Sequence, residues 1–220
     1  MTAVNKTLVL DLDGTLVDSV PDLRASLNRL MVAHALTPFS ADEVAAMVGD
    51  GAAALVRRAF DARERASAAS DLEAFLADYG VHAADASRPF AGVLRTLEAL
   101  RKDGWRLAVC TNKPAAPARA LLEALGLQPF FDAVGGGDSF LTRKPDPAHL
   151  LATITAAQGT PQAAIMVGDH RNDIQAALGA DIPSIFALWG YGTPAMANGA
   201  SASAERFSDI PAIADALLRR

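Results

Sequence analysis

Short apolar runs alternate with helical stretches along most of this chain, and that alternation limits the fold more than any other feature. Residues 8–10, 106–111, 131–134, 164–167 and 184–188 read as strands. Residues 93–102, 115–125, 147–157 and 174–178 place apolar side chains at helical spacing between them, and 211–218 closes the chain with another helix. Repeated strand–helix units of this length imply an α/β core, a doubly wound parallel sheet of the Rossmann kind with helices on both faces.

The pattern changes between residues 21 and 87, where no strand signal occurs. Leu23, Leu27, Leu30 and Met31 share one helix face behind Pro21. Ser40-Ala41-Asp42-Glu43 is a capping box that opens a helix to about residue 48, and Gly49-Asp50-Gly51 breaks it. One further helix carries Leu55, Arg57, Arg58 and Phe60, and the next carries Leu72, Phe75, Leu76 and Tyr79. The chain therefore divides into a core (residues 1–19 and 88–220) and an all-helical insertion (20–87) placed just after strand one. The small, polar stretch 195–203 reads as a mobile surface loop.

With 51% hydrophobic residues among 220, a full core can be buried. A net charge of −5 and the lack of a basic run argue against nucleic acid or an anionic membrane as partner. No apolar run approaches the ~18 residues of a membrane span. The first residues run straight into a strand without the pattern of a signal peptide. Cys110 is the lone cysteine, which excludes an internal disulfide. These features together give the expectation of a soluble, cytoplasmic protein, and a homodimer is left open.

Polar clusters stand where the strands end. Asp11-Leu12-Asp13-Gly14-Thr15 follows the first, Thr111-Asn112-Lys113 the second, Arg143-Lys144-Pro145-Asp146 comes after the third, and Gly168-Asp169 with Asp173 after the fourth. In a doubly wound sheet these ends lie along one edge, where ligands bind. Acids gathered this way repel unless a cation sits among them or one stays protonated for acid–base work. Oxygen ligands and an anionic substrate suit Mg²⁺, and no Cys/His cluster suggests zinc.

Blander readings accompany several of these residues. Asp169 and Asp173 can cap the helix that starts there, a role compatible with metal binding. Asp18 and Asp22 read as surface or capping acids, Gly190-Tyr191-Gly192 as a turn, and Cys110 as buried packing. Gly135-Gly136-Gly137 lacks the following helix start of a dinucleotide loop. His34, His82 and His149 read as structural.

The motifs Asp11 to Thr15, Thr111, Lys144 before Pro145, and Gly168-Asp169 to Asp173 appear in the order found in the haloacid dehalogenase superfamily of phosphohydrolases, which the chain resembles along its whole length. The helical insertion matches that family's cap. Leu12, the stretch from Val48 through Gly51 to Ala59, and Trp189-Gly190-Tyr191-Gly192 look most like its phosphoglycolate phosphatases. His170 departs from the resemblance, since many of those relatives carry Ser there.

The resemblance implies a phosphatase acting on a small phosphorylated metabolite, with 2-phosphoglycolate the best substrate guess. It implies that Asp11 is the nucleophile and Asp13 the general acid and base. Mg²⁺ would be held by Asp11, the backbone carbonyl of Asp13 and Asp169. Thr111 and Asn112 would bind the phosphoryl group together with the Leu12, Gly14 and Thr15 segment. Lys144 would offset charge, and Asp173, with Gly168, would support it. Arg57 or Arg58 could meet a substrate carboxylate, and positions ~100° apart on a helix imply that only one of them points inward.

Other readings share parts of the pattern. A phosphosugar mutase, a sugar-phosphate phosphatase or a pyrophosphatase would use the same fold. A phospho-signalling module places its phosphoacceptor after a later strand, and a silent metabolite-binding relative has no need of the intact set of acids. A dehalogenase lacks the acid that Asp13 supplies.

Overall fold

Elements follow one another as β1 (Thr7–Leu10), β2 (Val17–Asp18), α1 (Val20–Ala33), α2 (Ala41–Ala45), α3 (Ala52–Asp61), α4 (Ala69–His82), β3 (Arg88–Pro89) and α5 (Val93–Lys102). Next come β4 (Arg106–Cys110), α6 (Ala115–Ala124), β5 (Ala133–Gly135), α7 (Pro147–Ala156), β6 (Ala164–Gly168), α8 (Arg171–Gly179), β7 (Ser184–Ala187), β8 (Ala202–Ala204) and α9 (Ile210–Leu217). The structure, a computed structural model, describes residues 6–219. The outermost residues of the core span, Asn5 among them, lie outside that range.

Six strands form one parallel sheet in the order β5-β4-β1-β6-β7-β8. β1 sits between β4 and β6, with Leu10 level with Val109 on one side and Val167 on the other. The strand order reverses direction at β1, so its carboxyl end opens onto the crevice where such sheets bind ligands. Strand residues alternate between two cores. Leu8, Leu10, Val109 and Val167 pack with Leu97, Leu121 and Ile210 on one face. Val9, Ala108, Cys110 and Met166 pack with Leu150, Ile154 and Ala177 on the other. Burying one such aliphatic side chain contributes roughly 1.5–3 kcal/mol, and this reserve lets the sheet edge hold several like charges.

The helices α1 to α4 have a core of their own, built from Leu27, Met31, Phe39, Val44, Leu55, Phe60, Phe75 and Tyr79. The chain enters this helical unit through β2 and returns through β3, and the two pair antiparallel with Val17 opposite Pro89. Asp22, read from sequence as a surface or capping acid, lies in the first turn of α1 and is buried. Its carboxylate accepts from Ala86 N–H at 3.0 Å, Ser87 N–H at 2.7 Å and the Ser87 hydroxyl at 2.6 Å. Asp18 accepts from the Tyr191 hydroxyl at 2.8 Å. Both acids therefore fasten the crossing between the two units.

Several boundaries differ from the sequence reading, among them the start of α8, at Arg171 rather than residue 174. α2 ends at Ala45 and the chain turns from there to Gly49, rather than continuing as a helix to about residue 48. The third strand of the sheet begins at Ala133, because Gln128–Phe130 wind into a 3₁₀ turn first. The stretch 195–203, read as a mobile loop, overlaps a 3₁₀ turn (Pro194–Ala197) and the edge strand β8, which pairs with β7. Its small side chains gave no apolar signal, and backbone pairing alone makes it a strand.

Candidate active site

Each core strand at the crevice delivers one part of a buried cluster. Asp11 leaves β1 with its N–H donating to Val167 O at 2.9 Å, which points its carboxylate along the sheet edge. Burial pushes that carboxyl up to about 6; Lys144 lowers it, and Asp173 and Asp13 raise it. Asp169 follows β6, and its carboxyl rises to about 7 through burial and then through Asp11 and Asp173. It accepts from the Thr15 hydroxyl at 2.9 Å and from Tyr191 N–H at 2.8 Å. Gly14 adopts φ +86°, and a Cβ there would stand 2.4 Å from the Asp169 carboxylate, so only glycine lets the loop pass.

Lys144 is 2% exposed and reaches under this cluster. Its Nζ donates to Cys110 O and to Asp173 Oδ1, both at 2.6 Å, and lies 2.9 Å from Asp11 Oδ1. The charge of Lys144 faces that Asp11 oxygen directly and favours its ionised form. The Lys144 N–H donates to His149 Nδ1 at 3.1 Å. Burial and the nearby Lys144 charge drive His149 down to about 4, so the ring is neutral. Asp173 also accepts from His170 N–H at 3.0 Å and so caps α8 while it holds Lys144.

Oxygens of Asp11, Asp169 and Asp173 lie within 4.8 Å of one another. These three carboxylates around the single Lys144 ammonium leave two negative charges to neutralise. An all-oxygen, anionic, buried donor set of this kind fits a hard divalent cation. Asp173 differs from the other two in that one of its oxygens accepts directly from the Lys144 ammonium by hydrogen bond while the other caps α8. Asp13 turns its carboxylate away from the cluster to Lys113, at 2.9 and 3.1 Å.

Thr111 follows β4 directly, and its hydroxyl accepts from Lys113 N–H at 3.2 Å. Leu12 is fully buried, so only its backbone can face the crevice. Asn112 uses its side chain to tie elements together: Nδ2 donates to Gly49 O and to Lys144 O, each at 3.0 Å. Gly168, packed against Asp173, has no room for a Cβ.

The arginines do not take the place expected of them. Arg57 is exposed on α3. Arg58 donates to Met47 O at 2.8 Å and pairs with Asp50, whose other oxygen accepts from Asn172 Nδ2 at 2.6 Å. Neither arginine lines the cavities beside Asp13. Asp50 neutralises Arg58 and turns it into a strut between the helical unit and α8.

Two cavities flank the loop at Val48 and Gly49. One, of about 40 Å³, lies between the units with Asp11, Asp13, Thr111 and Lys113 on its floor and Leu23, Leu55, Phe75 and Tyr79 on its walls. The other, about 440 Å³, is lined by Asp13, Asp42, Asp169, His170 and Tyr191. Lys113, Tyr79, Tyr191 and His149 carry parts of this arrangement that sequence gave no role. Only Lys113 had a local signal, its place beside Thr111 and Asn112.

Residues 8–187 match the family model for haloacid dehalogenase-like hydrolases. A phosphoglycolate phosphatase of Agrobacterium fabrum is 46% identical over 187 residues, covering 83% of this chain and 80% of that protein. One of Caulobacter vibrioides is 40% identical over 210 residues, covering 93% and 89%. Among solved structures, one described as a predicted phosphoglycolate phosphatase from Haemophilus somnus 129pt superposes with a TM-score of 0.87 at 32% identity, covering 97% of this chain and 99% of that one. A sheet edge that gathers Asp11, Asp13, Thr111, Lys144 and Asp169 in one crevice, beneath a helical unit inserted after the first strand, thus occurs in a chain that belongs to the haloacid dehalogenase-like hydrolases.

Proposed function

We propose that this chain is a Mg²⁺-dependent phosphomonoesterase whose substrate is 2-phosphoglycolate. The observation that carries the reading is the buried Asp11 carboxylate, held between Lys144 and Asp169 with Asp13 two residues beyond it. Two features support the substrate. The relatives above bear that activity in their names. The cavity over Asp13 measures about 40 Å³, against the roughly 10–15 Å³ that a single water requires. It therefore takes a tail of a few heavy atoms, and an ester as large as a sugar phosphate would have to extend into the neighbouring cavity of about 440 Å³ that Asp13 also lines.

In this reading Asp11 attacks phosphorus as the ester oxygen departs, and an acyl phosphate forms on Asp11. Asp13 gives its proton to the leaving alkoxide. It then takes one from the water that attacks phosphorus in the second step, which frees Asp11 and inorganic phosphate. Thr111 donates to a phosphoryl oxygen, and Lys144 offsets the negative charge gathered beside Asp11. Asp11, Asp169 and the backbone carbonyl of Asp13 would hold Mg²⁺, which supplies charge neutralisation between nucleophile and phosphate. The helical unit acts as a lid that keeps bulk water out, docked through Gly49 and Asp50 onto Asn112 and Asn172.

The test is phosphate release from a panel of small esters, with Mg²⁺ or EDTA, by wild type and Asp11→Asn. The expected result is strong preference for 2-phosphoglycolate, loss with EDTA and an inactive variant. A different preferred ester would overturn the substrate and spare the mechanism. An active Asp11→Asn would overturn the mechanism.

A further inference from the structure

We propose that Lys113 and Tyr79 form the receptor for the substrate's carboxylate, and that its arrival draws Lys113 off Asp13. The inference rests on the reading of the substrate as a small phosphorylated acid and adds the residues that select it. Its starting point is where positive charge is found. Among the described residues lining the cavity between the two units, Lys113 is the one cation. The wall opposite is apolar, made by Leu23, Leu55, Phe75 and Leu76. A carboxylate entering there unpaired would lose its hydration with nothing in return. The two arginines near the loop offer no alternative, because Arg58 is held by Asp50 and Arg57 faces solvent.

Lys113 is itself 7% exposed and its charge is shared between two partners from different parts of the chain. Its Nζ donates to both oxygens of Asp13 and, at 2.9 Å, to the hydroxyl of Tyr79. Tyr79 comes from α4 of the helical unit and is 2% exposed. Burial raises its hydroxyl above the ordinary value, and Lys113 draws it only partly back, so it keeps a proton to donate. An ammonium and a phenol O–H side by side make a two-point site for a carboxylate. One point sits on the core and the other on the lid, so the site is complete only when the two units are docked.

The second consequence concerns Asp13. Without an anion in the cavity, Lys113 bridges both of its oxygens and fixes the direction of the carboxylate. A substrate carboxylate competes for the same Nζ and lets Asp13 turn toward the leaving oxygen. An ester without a carboxylate leaves the bridge in place. Selectivity then shows in turnover as well as in binding.

The experiment compares 2-phosphoglycolate with ethyl phosphate, an ester of matching length without the acid. It uses wild type, Lys113→Met, Lys113→Arg and Tyr79→Phe, each checked for folding by circular dichroism. A direct binding measurement follows by calorimetry, with 2-phosphoglycolate and the Asp11→Asn protein with and without Lys113→Met. The ratio of kcat/KM between the two esters should fall tenfold to a hundredfold in Lys113→Met, about what one charge-assisted contact supplies. Lys113→Arg should keep most of the ratio, and Tyr79→Phe should lower it severalfold. The calorimetric Kd should weaken in step with the Lys113→Met ratio.

A folded Lys113→Met that keeps both the wild-type ratio and the Kd overturns the receptor and leaves the substrate reading intact. A wild type with no preference between the two esters overturns the substrate reading, and the receptor falls with it.

Discussion

Asp173 and Lys144 are locked together: Oδ1 of the acid accepts from Nζ at 2.6 Å, and neither side chain is more than 1% exposed. The other oxygen of Asp173 caps α8 through His170 N–H. One side chain thereby orients the buried ammonium beside Asp11 and fixes the start of a helix. Asp173→Asn removes the charge while keeping much of the shape. Breaking a buried pair on one side costs about 3–5 kcal/mol. The variant should show kcat reduced about a hundredfold with KM little changed, and a lower Tm in thermal unfolding. An unaltered kcat would show that Lys144 needs no such support.

Mg²⁺ should stabilise the protein, and the gain should depend on pH. Burial holds Asp11 up to about 6 and Asp169 up to about 7, both above an unfolded carboxyl near 3.8. Raised carboxyls cost stability when ionised. Without metal that cost is fully present above pH 7, and it is relieved as protons bind between about pH 7 and 4. A cation offsets the same cost, so its effect is largest where both groups are ionised. Saturating the site a hundredfold above its Kd contributes about 2.7 kcal/mol. Melting curves with Mg²⁺ and with EDTA should separate clearly at pH 8 and converge toward pH 5.

Cys110 should be inert in the folded protein. It is fully buried at the end of β4, and burial pushes its thiol up to about 12. The thiolate that reacts with disulfide reagents is therefore scarce. Titration with a chromogenic disulfide should give no signal in buffer and one thiol per chain in denaturant. Rapid native labelling would mean that the sheet edge opens.

Gly49→Ala should disturb docking of the helical unit, and His170 should set how badly. Gly49 has φ +121°, and a Cβ there would lie 2.6 Å from the His170 ring. The added methyl meets both backbone strain and that ring. We expect kcat/KM to fall at least tenfold in Gly49→Ala, with partial recovery in the double variant Gly49→Ala, His170→Ser. Steady-state kinetics on the two variants gives the answer, and no recovery would assign the whole loss to the backbone.

The parts of this molecule that were legible in sequence are those set by short-range pattern. The apolar runs of β1, β4 and β6 predict their own burial, and the acids that follow them announce the edge where they gather. What sequence did not show depends on partners far along the chain. Asp22 looks like an ordinary helix-start acid until residues 86 and 87 come back to it. Tyr191 sits in a Gly-rich turn, yet bonds the backbone of Ser19 and Val20 more than 170 residues earlier. Arg58 has the chemistry of a carboxylate binder, and only the folded position of Asp50 shows that its charge is already met. β8 escaped because its alanines and serine carry no periodicity. Lys113 was in view, but its partner Tyr79 lies on the other unit.

Tyr191 touches two things at once. Its backbone N–H holds Asp169 at 2.8 Å, and its hydroxyl accepts from Ser19 N–H at 2.7 Å while donating to Asp18. The aromatic ring is thus a spoke from the acid cluster to the β2 end of the crossing between the two units. One end of that spoke is fixed to Asp169, and the other to the residues through which the chain enters the helical unit. The acid cluster of the core and the entry to the helical unit thus share one residue as a common anchor.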